Sequence, residues 1–407
     1  MNTNINKYES KKAFTWAIFI LLLGTNFLGL MPFAGYVNNN TKPVILVKCI
    51  IFLYFAIRTY DPRDKFNKWL IYLWIAFFLN KFSSVIFRNQ NLSNVLFQGS
   101  FIYDFGFYYI ISYINPSVRQ IEKVISYLGL SAIIIYFIQY AVLPTPIVES
   151  LSESWRSQDF VSEFDIQRFT ITGEAIIILY GLLSFNLYLL NKKKKYIIVI
   201  LVTFIFIILH GYRSMMIAYA IAFLFLYFKI NGFKLNKTTF CGIILLLTFA
   251  YLLNFTSLFD NIFATISEKN EYQSSLTFQE LDRVVEWNYF YENINKPWEW
   301  LLGAGFIGKN FTDQSIFINW VDLGFIGMSF MGGILLTYCW IKLLLLNIHK
   351  PKANYTYIAA FSIYVILATI TLNIAFADKC IVIQSLSFYL YVKLNMIQKN
   401  ESCILSK

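Results

Sequence analysis

Apolar runs close to 20 residues recur along the whole chain, and no other feature constrains its fold as tightly. About 20 consecutive apolar residues is the length that crosses a bilayer as an α-helix. In hydrocarbon a backbone amide finds no water, so a spanning segment must be a helix or part of a closed barrel. Barrel strands alternate apolar and polar side chains, and these runs do not. They fall at 13–31, 43–57, 69–87, 95–114, 122–143, 173–190, 196–211, 213–229, 239–256, 322–346, 355–373 and 380–397. The expected fold is all-α: a polytopic transmembrane helical bundle of about 12 spans, making one integral membrane domain over 1–407. Composition agrees, with 57% hydrophobic and 14% charged residues against about 25% charged in ordinary soluble domains. The first run is too long, and too closely followed by others, for a cleaved signal.

Lysine and arginine in short loops set the orientation, because basic loops stay cytoplasmic. "NKKKKY" at 191–196 belongs on that side. Counting outward from it puts "NKYESKK", "RTYDPRDKFNK", "KINGFKLNK", "HKPKANY" and the C-terminal tail there too. Both termini are expected in the cytoplasm. The net charge of +11 is mostly this bias, not a footprint for nucleic acid, which is not an expected partner. Cys49, Cys241, Cys339, Cys380 and Cys403 form no disulfide framework. No His/Cys/carboxylate cluster has metal-ligand spacing, and there is no P-loop or dinucleotide fingerprint. Neither metal nor cofactor is expected.

On the other side two loops are long, 144–172 and 257–321, the second before span 10. Long loops of this kind are usually functional. In the second, Thr277 reads as a helix cap with Glu280 reaching back and Leu276 stapled to Leu281. The helix runs to about Asn295 and stops before Pro297. Arg283, Trp287, Phe290, Tyr291 and Ile294 fall on one face of it at helical spacing. "WEWLLGAGF" then turns the chain back toward the membrane through Gly303 and Gly305. Trp287, Tyr291 and Trp298 are candidate stacking rings, or else members of an interfacial aromatic belt. Arg283 is a candidate anion ligand, or else snorkels to headgroups.

Two more arginines stand at the ends of runs on the same side. "FDIQRFTITGE" puts Arg168 ahead of Gly173 and Glu174, and "HGYRSMM" puts Arg213 in the very short turn between spans 7 and 8. A charge near hydrocarbon costs about 2.5–3.5 kcal/mol on insertion scales, so it usually has a partner or a job. Arg168, Arg213 and Arg283 at the mouths of three hairpins suggest one anion site, since guanidinium grips phosphate bidentately. Charges within runs are sparse: Lys48, Lys81 and Asp104. Arginines for phosphate, rings for sugar and lipid around both describe a glycan on a polyprenyl pyrophosphate.

At "RFTITGE", "GYRSMMIAYAIAF", "DRVVEWNYFYENINKPWEWLLGAGF" and "TDQSIFINWVDLGFIG" the chain resembles the bacterial oligosaccharide repeat-unit polymerases of O-antigen and capsule synthesis (Wzy-type), a superfamily shared with O-antigen ligases. Arg168 with Gly173, and Arg283 with Gly303 and Gly305, stand where that family has its arginine–glycine elements. Arg213 matches an arginine–serine turn, and Asp313 with Gly324 and Gly327 the segment opening the next span. The resemblance implies a metal-independent membrane glycosyltransferase in the bacterial cytoplasmic (inner) membrane. It polymerises undecaprenyl-pyrophosphate-linked repeat units on the outer face into O-antigen, capsule or exopolysaccharide. Its expected partners are those lipid-linked oligosaccharides, the bilayer, a chain-length regulator and a flippase.

With no D-x-D in an outer loop, Arg168, Arg213 and Arg283 are expected to stabilise the leaving pyrophosphate. Asp282, Glu174 and Asp313 are the candidate bases for the acceptor hydroxyl. Glu174 can instead pair with Arg168, and Asp282 with a lysine. Asp322 reads as a helix N-terminal charge. The alternatives are an O-antigen ligase and a glycolipid flippase. Ligase-like relatives carry a histidine in the large outer loop, and 257–321 has none. His210 reads as a span-end histidine bonded to a carbonyl. A flippase is expected to line a central cavity with charge.

Overall fold

The computed structural model describes residues 2–25, 27, 42–142, 173–210, 213–232, 282–294, 296–306, 320–349, 353–370 and 380–405, with Arg213, Asp282, Arg283 and Asp322 described as backbone alone. The expected run at 239–256, Arg168, Asp313 and the cap around Thr277 lie outside these residues.

Every described element is helical, with no strand among the described residues. The N-terminal half holds α1 (Asn2–Gly24), α2 (Lys42–Thr59), α3 (Lys65–Arg88), α4 (Leu92–Val95), a 3-10 segment (Ser100–Gly106), α5 (Phe107–Ile114) and α6 (Val118–Ala141). Then come α7 (Ala175–Asn191), α8 (Lys195–His210) and α9 (Arg213–Asn231), followed by the short α10 (Asp282–Asn293) and α11 (Pro297–Leu302). The chain closes with α12 (Gly324–Ile348), α13 (Thr356–Ala368) and α14 (Cys380–Leu405).

Among the described residues four helices are long and apolar enough to cross a membrane: Lys65–Arg88, Val118–Ala141, Ser214–Asn231 and Gly324–Ile348. Shorter apolar helices cover Ala175–Asn191, Lys195–His210, Thr356–Ala368 and Cys380–Met396. Large apolar side chains face outward in helical stripes, as Ile217, Ile221 and Leu224 do on α9. Water penalises such stripes and lipid does not. The helices mark a membrane protein.

Two expected runs are interrupted. The run at 95–114 breaks into α4, a turn, the 3-10 segment and α5. Gly99 turns there at φ 62, and Gly106 lies so close to Phe52 that a Cβ would come 2.1 Å from its ring. Asp104 in the segment is buried and pairs with Lys48 of α2 at 3.2 Å. The second break is inside α12, where Gly333 is non-helical at φ 87, ψ 157.

Inside the bundle, polar side chains bond between helices, which holds packing together where no hydrophobic force acts. Trp340 Nε1 donates to Gln384 Oε1 at 2.8 Å. Asn347 Nδ2 donates to Ser362 and Ser387, each at 3.0 Å. At one end the turns carrying basic residues are tied together. Asp64 caps α3 by accepting from Phe66 N at 2.9 Å, and Tyr108 donates to its other oxygen. Asn186 donates to Asn354 O at 2.8 Å, Tyr391 to His349 O at 2.7 Å, and Tyr389 to Pro116 O at 2.6 Å. Sidedness is testable at this end, where Lys194 and Asn354 are exposed. With native cysteines removed, cysteines at these two positions are expected to escape an impermeant thiol reagent in intact cells. Cysteines at Asn39, Ser157 and Ser274 are expected to react. The reverse pattern turns the protein over.

Candidate functional site

At the end of the bundle away from the basic turns, Gly173 adopts φ 86 beside Thr25, and Glu174 follows as the residue that opens α7. His210 closes α8, which packs antiparallel on α7 through the "NKKKKY" turn. The two side chains meet. Oε2 of Glu174 lies 2.6 Å from Nε2 of His210, and the residues are 6% and 1% exposed. Tyr136 of α6 and Tyr364 of α13 are buried within electrostatic reach of Glu174. Phe206 packs edge-on against Tyr136 at 4.6 Å and next to the imidazole at 5.6 Å. With Glu174 as a carboxylate, the hydrogen of this bond sits on Nε2 of His210.

Arg168, the partner also expected for Glu174, lies outside the described residues; Glu174 and His210 partner each other. Their separation of 36 residues gave no periodic signal. The signal was positional: one polar residue at each outer end of a helical hairpin. Arg213 starts α9 three residues beyond His210.

A second cluster forms on α3, α10, α11 and α12. Arg88 closes α3, and its Nη2 reaches Glu299 Oε1 at 3.1 Å and Asn293 O at 3.2 Å, tying α3 to α10 and α11. The expected face of α10 divides. Phe290 and Ile294 are buried, with Phe290 stacked on Phe330 at 5.3 Å. Trp287 and Tyr291 are 37% and 58% exposed along the flank. Trp298 is also 37% exposed and lies against Phe87 at 5.2 Å. The "WEWLL" stretch is the short helix α11 rather than an open turn.

Gly303 and Gly305 have a backbone reason to be glycine. The segment 303–305 runs against the break in α12, where Ala304 N donates to Phe330 O at 2.7 Å and Gly305 N to Met331 O at 2.9 Å. Asn80 of α3 donates to Leu302 O at 2.5 Å and Met331 O at 2.9 Å. The carbonyls that the break releases from helix bonding are thereby satisfied, as a low-dielectric interior requires. Asn80 and Arg88 escaped the sequence reading, although "LNKFSS" interrupts an apolar run. The structure thus places Glu174 in one cluster and Trp287, Tyr291, Trp298, Gly303 and Gly305 in another. No protein-family model matches the chain, and no curated protein matches it. The family resemblance is carried by sequence motifs alone.

Proposed function

We propose that this protein polymerises polyprenyl-pyrophosphate-linked oligosaccharide repeat units at the outer face of a bacterial cytoplasmic membrane. The observation that carries this reading is the buried Glu174–His210 pair at the end of the bundle opposite the basic turns, beside the start of α9 at Arg213. An imidazole oriented by a carboxylate is a fitting general base for an acceptor hydroxyl. In the proposed step the acceptor hydroxyl oxygen bonds to the anomeric carbon of the donor. The bond from that carbon to the pyrophosphate oxygen breaks, and both bonding electrons leave with the pyrophosphate. The hydroxyl proton passes to the imidazole of His210, which Glu174 orients. Arg168, Arg213 and Arg283 stabilise the departing charge.

Alanine at each of these arginines is expected to lower polymer about 100-fold or more while leaving protein in the membrane. Lysine is expected to rescue in part, keeping charge but losing the fork. Full polymer in all three alanine variants sinks the reading.

The break in α12 favours a second reading, transport of the lipid-linked unit, since discontinuous helices build transporter sites. Deleting the gene separates the readings on a gel of extracted glycolipid. A polymerase leaves single units on the final acceptor. A ligase leaves long chains on the carrier, and a transporter leaves units on the cytoplasmic leaflet.

A further inference from the structure

Lys48–Asp104, Arg88–Glu299 and Glu174–His210 pair charged or chargeable groups among the described residues. Lys81 has no such pair. It lies in α3, seven residues before Arg88, which is about 10 Å from that helix end at 1.5 Å per residue. The residue is fully buried. Its ammonium donates to the carbonyl of Gln98 and faces the rings of Phe77 and Phe306 at 4.5 and 5.3 Å from their centroids. A carbonyl dipole and two ring faces offset part of a charge, but buried charges are ordinarily matched by an opposite one. The side-chain oxygen of Gln98 is also buried and has no hydrogen-bond partner. Among the described residues this cation has no anion and the Gln98 oxygen no donor, a combination that fits a ligand carrying both anionic oxygens and hydroxyls.

The surroundings fit binding rather than packing alone. Lys81 stands where the 95–114 run is unwound, close to the segment 303–306 that meets the break in α12. Irregular backbone at membrane depth survives where it is enclosed by protein or lines a site. Phe306 is the cover. It follows Gly305 at φ 90 and presses on Gly99, where a Cβ would come 2.6 Å from the ring.

We propose that Lys81 anchors an internal anion site, covered by Phe306, that takes the phosphate or carboxylate oxygens of a glycan substrate. Naming the substrate a glycan rests on the proposed function; the anion chemistry does not.

The test uses the full-length protein in detergent, with inorganic pyrophosphate, geranyl pyrophosphate and glucuronate as probes in calorimetric titration. Wild type is expected to bind at least one of them saturably. Lys81→Met is expected to weaken that binding about tenfold or more, with Lys81→Arg retaining most of it. Phe306→Ala is expected to tighten it. Binding of the two pyrophosphates alone assigns the site to the carrier phosphate, and binding of glucuronate alone to an acidic sugar. Lys81→Met binding as tightly as wild type, or no probe binding to wild type or Phe306→Ala, overturns the site. Should Lys81→Met fail to fold, acylation of Lys81 in Phe306→Ala, read by mass spectrometry, decides. Protection by a bound probe supports the site and its absence overturns it. Normal polymer in the deletion strain together with Lys81-dependent binding sinks the polymerase reading and leaves the site standing.

Discussion

Replacing Gly303 with alanine is expected to leave no folded protein in the membrane. The new Cβ would stand 2.4 Å from Gly333 N, 2.4 Å from Met331 O and 2.5 Å from Gly332 C, where ordinary contact begins near 3.4 Å. All three neighbours are backbone, so no side chain can swing aside. The backbone at φ 81, ψ 163 lies in a region essentially confined to glycine and adds about 1–3 kcal/mol for a residue with a Cβ. Relief requires the segment to lift off α12, which unmakes the bonds from Ala304 N to Phe330 O and from Gly305 N to Met331 O. Each buried group left unpaired costs about 1–3 kcal/mol. With the overlap itself, the sum is comparable to a whole domain's stability of about 5–15 kcal/mol. Gly232 supplies the control. It has φ 72 with nothing among the described residues within 4 Å of its would-be Cβ, so alanine there is expected to cost about 1–2 kcal/mol. Extraction yield and monodispersity on gel filtration measure both variants. Normal recovery of Gly303→Ala would show that α11 does not lie against the break.

The other large effect is expected at Glu174 and His210. Removing either partner strands a buried polar group, and breaking such pairs costs about 3–5 kcal/mol. The double alanine variant is expected to be no less stable than either single one, because the second deletion removes the stranded group. A double-mutant cycle on thermal unfolding in detergent reads this directly. Strictly additive losses would show two independent packing residues. Activity separates further. His210→Ala is expected to lower polymer about 10²–10⁴-fold, the usual worth of a general base. Glu174→Gln, which keeps an acceptor for Nε2, is expected to fall less. His210→Ala retaining full polymer removes histidine from the chemistry, whatever its part in stability.

The bundle was legible because lipid leaves the chain few options: a run of apolar residues must close its own hydrogen bonds, so length and hydropathy suffice to find α3, α6, α9 and α12. The interruptions were not. Gly333 sits in "MGGILL", and glycine is common in transmembrane helices, so nothing local marks it as non-helical. Its cause is Gly303, distant in sequence but pressed against it. The run at 95–114 reads as continuous because hydropathy does not register that Lys81 is on hand to bond a released carbonyl. The face of α10 is buried unevenly: Phe290 and Ile294 are enclosed, while Trp287 touches Phe330 edge-on at 5.5 Å and still stands partly open with Tyr291, a difference that spacing along one helix does not register. The pairing of Glu174 with His210 depended on which hairpin ends meet, which spacing along one chain does not encode. Arg168 and Asp313 lie outside the described residues, and Arg213, Asp282 and Arg283 are described as backbone, so the arginine site stands on sequence.

The break in α12 also sets an order of assembly. Asn80 holds carbonyls 222 and 251 residues further along the chain. Synthesis runs at about 5–20 residues per second, so α3 waits roughly 13–50 s for Met331 to be made, 251 residues later. Throughout that interval its amide faces lipid or a temporary neighbour. The unwound turn, once made, cannot mature until a helix from the start of the chain reaches it. The polypeptide therefore closes from its two halves at once, and a ribosome that stalls between Gly303 and Gly333 leaves an early helix with its partner missing.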